Sequence, residues 1–128
     1  MKLLNGLELA YCTNVHRGNT WEETFHSLNR YVLKVRDKVS PEDRFAIGLR
    51  LGAQAASELY TQSELLGFQK WLEAKNCYVF TINGFPYGNF HGQRVKEDVY
   101  RPDWTTTERL EYTVLLFEIL AELLQPGE

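Results

Sequence analysis

The chain alternates a short apolar run with a longer amphipathic stretch three times, and this order constrains its fold more than any other feature of the sequence. The apolar runs fall at Leu9–Cys12, Phe45–Leu49 and Tyr78–Ile82, and each has the length of a strand. Helical connections between consecutive strands make the strands parallel, with right-handed crossovers, and cover the sheet. We therefore predict an α/β fold with three parallel strands in sequential order and with the helices packed on one outer face.

Three βα units make a small doubly wound sheet, and such sheets reverse their strand order. A complete (β/α)8 barrel adds its strands in sequence but needs about 250 residues, whereas this chain has 128. The last helical stretch is apolar around much of its circumference, as expected where a further element packs against it. The sequence thus predicts an incomplete TIM-type barrel of three consecutive βα units, with residues 1–128 forming a single domain.

Capping and helix-breaking residues define the predicted helix ends. Thr20 and Glu23 form the two halves of a capping box, and Pro41 lies just beyond the end of the first helix. A second capping box at Thr105 and Glu108 begins the last helix. The predicted inward positions are Trp21, Phe25, Leu28, Val32, Val35 and Val39 in the first helix, Leu59, Leu65, Phe68, Trp71 and Leu72 in a broken second helix (54–60 and 62–75), and Leu110, Val114, Phe117, Ala121 and Leu124 in the last.

Composition and charge argue against several classes of function. The chain has a net charge of −3, and its last helix is rich in glutamate, so a surface for nucleic acid or an anionic membrane is not expected. The apolar run at the N-terminus is too short and too polar for a signal peptide or a membrane span, which predicts a cytoplasmic protein. Cys12 and Cys77 each lie in a strand-like segment, so we expect two buried thiols. Strand two separates them, which leaves them too far apart for a disulfide.

A long loop follows the third strand and stays irregular until about Trp104. Loops of this length in compact domains are usually binding or lid loops, or else disordered. Parallel α/β sheets bind their ligands beyond the carboxyl ends of the strands, so the side chains at those ends are the candidate ligand contacts. They are Asn14, His16, Arg50, Asn83, Phe85, Tyr87 and His91.

Each of these residues also has a structural interpretation. His16 either contacts a ligand or caps an acidic residue in the first turn of the next helix. Arg50 either holds a phosphate or carboxylate of a ligand or pairs with a carboxylate of the next loop. Asn83 either bonds a sugar hydroxyl or forms a turn. The aromatic rings either stack on a ligand or pack the loop onto the sheet, and His91 either joins the site or orders the loop.

The sequence has no cofactor signature. HxxxH and CxxC spacings do not occur in it, and two histidines from separate loops still need a carboxylate or a third nitrogen to hold a divalent metal. Phosphate-binding loops, nucleophile elbows and dinucleotide motifs are also missing from it. We therefore predict no cofactor for this chain, and we expect a divalent metal only in a complete barrel.

Several segments of the chain together resemble a known family. They are Tyr11-Cys12-Thr13-Asn14-Val15-His16, Trp21-Glu22-Glu23-Thr24, Gly48-Leu49-Arg50-Leu51 and the run from Tyr78 to His91. These segments are similar to the amino-terminal part of the EboE family, the bacterial metabolite traffic proteins of the xylose-isomerase-like barrel superfamily. Family members are substantially longer, so the resemblance implies the first strands of a barrel whose later strands lie outside this sequence.

The resemblance implies a metabolite traffic protein that binds a small molecule for transport or export at the carboxyl-end loops. Kinship with the superfamily implies an alternative, a divalent-metal-dependent sugar or sugar-phosphate isomerase or epimerase, although no complete catalytic site is visible in this chain. A second alternative is a truncated fragment without independent activity. The expected partners are a small-molecule metabolite and, through the open barrel edges, either a second copy or a docking segment.

Overall fold

The three predicted strands form one parallel sheet in a computed structural model that describes residues 1–88 and 100–124. Strand β1 is Tyr11–Cys12, β2 is Phe45–Arg50 and β3 is Cys77–Asn83. Both outer strands pair in parallel with β2, so the order is β1-β2-β3. The parallel pairing and the sequential order are confirmed, while the barrel itself stays a prediction.

Helices follow each strand, as the alternation of the sequence predicts. They are α1 (Trp21–Ser27), a π-helical turn (Leu28–Val32) that continues into α2 (Leu33–Val39), α3 (Ala53–Leu59), α4 (Gln62–Ala74) and α5 (Thr107–Leu123). The interruption between α3 and α4 confirms the broken second helix. Within the described ranges, none of these helices has both the length and the apolar character needed to cross a bilayer.

The first predicted capping box is present, whereas the second does not form and a neighbouring threonine caps the helix. The Glu23 amide donates to the Thr20 hydroxyl at 3.1 Å, and the Glu23 carboxylate accepts from the Thr20 amide at 3.3 Å. At the start of α5 the cap is Thr106, not Thr105, and the amide of Arg109 donates to its hydroxyl. Thr105 instead donates its amide to the Asp103 carboxylate at 2.9 Å. This local turn moves the first residue of the helix one position along the chain.

A single cluster of buried side chains joins the helices to one face of the sheet. Phe45, Ile47 and Leu49 alternate along β2 and all belong to this cluster, which places them on the same face. The intervening Ala46 and its β3 partner Tyr78 are also buried but lie outside the cluster. The buried helical members are Trp21, Leu28, Val32, Ala55, Ala56, Leu59, Leu65, Phe68, Leu72, Tyr112, Leu116, Ile119 and Leu123. The helices thus pack on one face, as the periodicity predicts.

Two predicted inward or buried positions are exposed near the margins of this core. Val39 is exposed because it is the last residue of α2, one position before the chain leaves the helix at Ser40. Cys12 is exposed while Cys77 is buried, and both are free thiols. The prediction of a buried Cys12 is wrong because β1 is only two residues long and, within residues 1–88 and 100–124, pairs with β2 alone.

The predicted inward face of α5 is also wrong. Leu110, Val114 and Phe117 are 56%, 46% and 68% exposed, whereas the side chains that enter the core are Tyr112, Leu116, Ile119 and Leu123. Both sets have helical spacing, so periodicity alone does not choose between them. The rotation of α5 is set instead by Tyr112, whose hydroxyl donates to the Leu51 carbonyl, and by Leu116 packed against Gly84.

Two leucine substitutions of the same size test this corrected orientation of α5. We expect Leu116→Ala to lower the free energy of unfolding by about 2–5 kcal/mol, because it removes buried methyl groups. Leu110→Ala should stay within about 0.5 kcal/mol, because its side chain is more than half exposed. Urea denaturation measures both, and equal losses would show that the helix is rotated toward Leu110.

Candidate functional site

Arg50, at the carboxyl end of β2, bonds to the loops that follow the two neighbouring strands, β1 and β3. Its Nη2 donates to the carbonyls of Pro86 at 2.8 Å and Gly88 at 2.7 Å, both beyond β3. Its Nη1 donates to the Gly18 carbonyl, beyond β1, at 3.1 Å, and its own amide donates to the Thr13 hydroxyl at 2.9 Å. Arg50 is only 8% exposed, so these bonds form in a site from which water is largely excluded.

The Arg50 guanidinium therefore links the two loops through hydrogen bonds to the Gly18, Pro86 and Gly88 carbonyls, and we call this set of bonds the Arg50 brace. Within residues 1–88 and 100–124 it forms no salt bridge with a carboxylate, so the predicted pairing with an acidic residue of the next loop is replaced by three backbone carbonyls. Burial lowers the pKa of Arg50, and the nearby Tyr112 phenol partly offsets that shift. The guanidinium remains charged at neutral pH, and charged donors make hydrogen bonds roughly twice as strong as neutral ones.

A second set of contacts links the ends of β2 and β3 to α5. The Tyr87 carbonyl accepts from the Ala53 amide at 2.8 Å, at the start of α3. The Tyr87 ring meets the Tyr112 ring edge to face, with centroids 4.9 Å apart. The hydroxyl of Tyr112 in turn donates to the Leu51 carbonyl. Tyr87 thus packs the loop onto α5 and the start of α3, which is the structural one of the two interpretations of its ring.

His16 belongs to an aromatic cluster beside β1. Its Nε2 shares a 2.8 Å hydrogen bond with the Tyr11 hydroxyl, and its ring stacks on Tyr31 with centroids 5.1 Å apart and planes 5° from parallel. Burial lowers the pKa of His16, which favours the neutral imidazole. His16 therefore bonds to Tyr11 and not, as one of its interpretations predicted, to an acidic residue of the next helix. The Glu23 carboxylate accepts instead from the amides of Asn19 and Thr20.

The two asparagines take local roles in the turns that follow their strands. The Asn14 side-chain oxygen accepts from the Cys12 thiol at 3.2 Å. The Asn83 side-chain oxygen accepts from the Phe85 amide at 3.1 Å, which is the Asx turn that the sequence suggested. Asn83 is the register partner of Arg50 in the sheet, so both side chains lie at the same level of the rim.

A cavity of about 290 Å³ opens between the end of β3 and α5. We call it the β3–α5 cavity. It combines apolar walls with one side-chain amide, one hydroxyl and one guanidinium. Its lining residues are Ile82, Asn83, Gly84, Phe85, Trp104, Arg109, Thr113, Leu116, Phe117 and Leu120. Its volume is close to the lower end of the range for small-molecule sites.

The cation of this cavity is held in place by aromatic rings. The Arg109 guanidinium lies 5.1 Å from the centroid of the Trp104 ring and 5.5 Å from that of Tyr112. Such stacking restricts the guanidinium while leaving its N–H edge able to donate. Phe85, on the opposite loop, is 39% exposed and its ring lies 5.7 Å from that of Tyr100. The cavity therefore presents exposed rings beside an oriented positive charge.

Sequence reasoning found part of this arrangement. The structure brings Arg50, Asn83, Phe85 and Tyr87 together at the ends of β2 and β3, while His16 lies beside β1 and His91 lies outside the described residues. Arg109 was missed as a candidate. The available signal was its place in the first turn of α5, a few residues after Trp104.

The described residues contain no group of three or more His, Cys, Asp or Glu side chains arranged to hold a metal ion. Comparisons of this chain with protein families, with curated proteins and with solved structures find no significant match. The resemblance to the EboE family therefore stays a prediction, and the fold class is that of a mixed α/β protein with a three-stranded parallel sheet.

Removing the Arg50 brace should destabilise the fold. We expect Arg50→Met to lower the free energy of unfolding by about 2–5 kcal/mol, because it leaves three carbonyls without their charged donor. Arg17→Met, at an exposed arginine in the loop after β1, should stay within about 0.5 kcal/mol. Chemical denaturation of both variants measures the difference, and a fully stable Arg50→Met protein would contradict the role of the brace.

The buried phenol of Tyr112 should make stability fall at alkaline pH. Burial raises the pKa of Tyr112 to about 12, whereas the unfolded phenol titrates near pH 10. Because the folded pKa is the higher one, this contribution is complete below about pH 10 and is lost as the pH rises toward 12.

The Tyr112→Phe variant lacks the titrating hydroxyl and provides the comparison. Its stability should be lower by about 1–2 kcal/mol at neutral pH, since the Leu51 carbonyl loses its donor. Between pH 10 and 12 its free energy of unfolding should fall less steeply than that of the unmodified chain. If the free energies of unfolding of the two proteins fall in parallel between pH 10 and 12, the Tyr112 phenol titrates alike in the folded and unfolded chains, and the prediction is wrong.

Proposed function

We propose that this chain binds a small metabolite in the β3–α5 cavity and serves as a binding component of metabolite traffic. The observation that carries the proposal is the cavity of about 290 Å³ at the carboxyl end of β3, with an oriented guanidinium at an aromatic wall. Parallel sheets hold their ligands at this end of the strands. Small-molecule sites are mostly apolar with a few placed polar groups, which is the composition of this lining.

The lining indicates the chemistry of the ligand. Phe85, Phe117 and Leu120 offer an apolar surface for a ring or a short hydrocarbon body. Arg109 offers a charged donor suited to a carboxylate or another anion. We therefore propose a small organic anion with an apolar body. The Asn83 turn and the Arg50 brace hold the adjacent loop in position, which limits the ordering cost of binding.

The same lining favours binding over catalysis. None of the described residues around the cavity is an aspartate, glutamate, histidine, cysteine or lysine, which are the common general acids, bases and nucleophiles. A ligand bound there would be released chemically unchanged, as a role in transport requires. The transport step in this proposal rests on the resemblance to the EboE family, whereas the binding step rests on the cavity.

Isothermal titration calorimetry with two probes of similar shape tests the binding step. We expect 3-phenylpropionate to bind about tenfold more tightly than the neutral 3-phenyl-1-propanol, because only the carboxylate gains the charged hydrogen bond. Arg109→Gln should remove this preference. Arg30→Gln is the matched control, since Arg30 also lies over a tyrosine ring but far along the chain, in the π-helical turn.

Two outcomes would contradict the proposal. The first is that neither probe binds at millimolar concentration, which would mean that the cavity is not a ligand site. The second is that Arg30→Gln weakens binding of the carboxylate as much as Arg109→Gln does. That result would place the probe at the Arg30 and Tyr31 surface instead of in the β3–α5 cavity.

A further inference from the structure

Helix α5 exposes a second apolar face that the core does not use. Leu110, Val114, Phe117 and Ala121 are all exposed, and they follow one another at steps of four, three and four residues. This is the spacing of the a and d positions of a coiled coil, with Leu110 and Phe117 at d and Val114 and Ala121 at a. We call these four residues the α5 seam. It runs along more than two turns of a 17-residue helix.

One flank of the α5 seam is acidic. Glu111 and Glu118 each follow a d residue directly, which is the e position beside the seam. Neither carboxylate forms a salt bridge within residues 1–88 and 100–124. Glu118 lies close enough to the exposed Tyr60 phenol to raise the pKa of that phenol, through its negative charge and through a hydrogen bond. The opposite flank, at the g positions, holds Thr113 and Leu120 and carries no charge.

This charge pattern argues against a second copy of the chain as the occupant. An antiparallel pair of α5 helices would set the e positions against each other, so that glutamates of the two copies would repel. A parallel pair would set glutamate against the uncharged g positions, Thr113 and Leu120. Arg109 on that side of the helix lies at a c position and is stacked on the Trp104 and Tyr112 rings. An anionic lipid surface would be repelled by the same carboxylates. A helix with an apolar face and with cations opposite the e positions would bury the α5 seam and also pair with the two glutamates.

We propose that the α5 seam is the docking surface for an amphipathic helix of a partner protein, with apolar a and d residues and lysine or arginine opposite Glu111 and Glu118. Helix-in-groove recognition uses anchors at this spacing, and charges at the flanking positions set partner choice and orientation. The surface lies on the exposed side of α5 and borders the β3–α5 cavity, because Phe117 belongs to both. Its occupation does not require a ligand in the cavity.

Fluorescence anisotropy with two labelled synthetic helices tests the proposal on the 128-residue chain. Each peptide spans about three heptads with leucine at a and d, and the two differ only in lysine or glutamate at the flanking positions. We expect the lysine peptide to bind about threefold to tenfold more tightly at low salt, the range for two surface ion pairs. The double variant Glu111→Lys with Glu118→Lys should reverse this preference.

Two single variants locate the binding surface. Phe117→Ser should weaken the lysine peptide about tenfold, because it removes the most exposed anchor. Leu66→Ser changes a 48% exposed leucine on α4 and should leave the affinity unchanged. Circular dichroism confirms that each variant remains folded.

Several results would overturn the proposal. Equal binding of both peptides, or binding of neither, would show that the acidic flank does not select a cationic helix. A Phe117→Ser protein that binds the lysine peptide normally would place the contact elsewhere. Light scattering that finds a dimer of the chain, lost in Phe117→Ser, would identify a second copy as the occupant.

Discussion

A buried guanidinium at the end of the central strand holds the carboxyl-end rim of this fold together. Arg50 donates to carbonyls in the loops after β1 and β3, while its amide bonds Thr13. Loop carbonyls that are buried without donors cost free energy, and a single charged side chain with several donors satisfies them together. The position of the loop after β3, and with it one wall of the β3–α5 cavity, follows from this brace.

The strand order and most helix positions could be predicted because they depend on local patterns. Alternating strand-like and helical stretches leave few topologies, and the Thr20–Glu23 capping box is a contact between neighbours in sequence. The orientation of α5 could not be predicted, because it has two apolar faces and the choice depends on Tyr112 reaching Leu51. Arg50 was found at the rim, but its carbonyl partners lie 32 to 38 residues away along the chain.

Three faces of helix α5 contribute to three different surfaces of the protein. Tyr112 and Ile119 lie in the core, Arg109 and Thr113 line the β3–α5 cavity, and Leu110 and Val114 belong to the exposed α5 seam. A helix that is apolar around much of its circumference needs a partner on each apolar face. The composition of α5 is thus explained by burial against the sheet on one face and by the docking proposed for the other.

Hydrogen exchange at the Ala53 amide tests the role of the Arg50 brace most directly. This amide bonds the Tyr87 carbonyl, inside the loop segment that Arg50 holds through Pro86 and Gly88. Comparison of the unmodified chain with Arg50→Lys, normalised to amides in the middle of α4, separates local opening from global unfolding. The account predicts that Ala53 loses protection selectively in Arg50→Lys. Unchanged protection at Ala53 relative to α4 would show that the loop holds its position without the guanidinium.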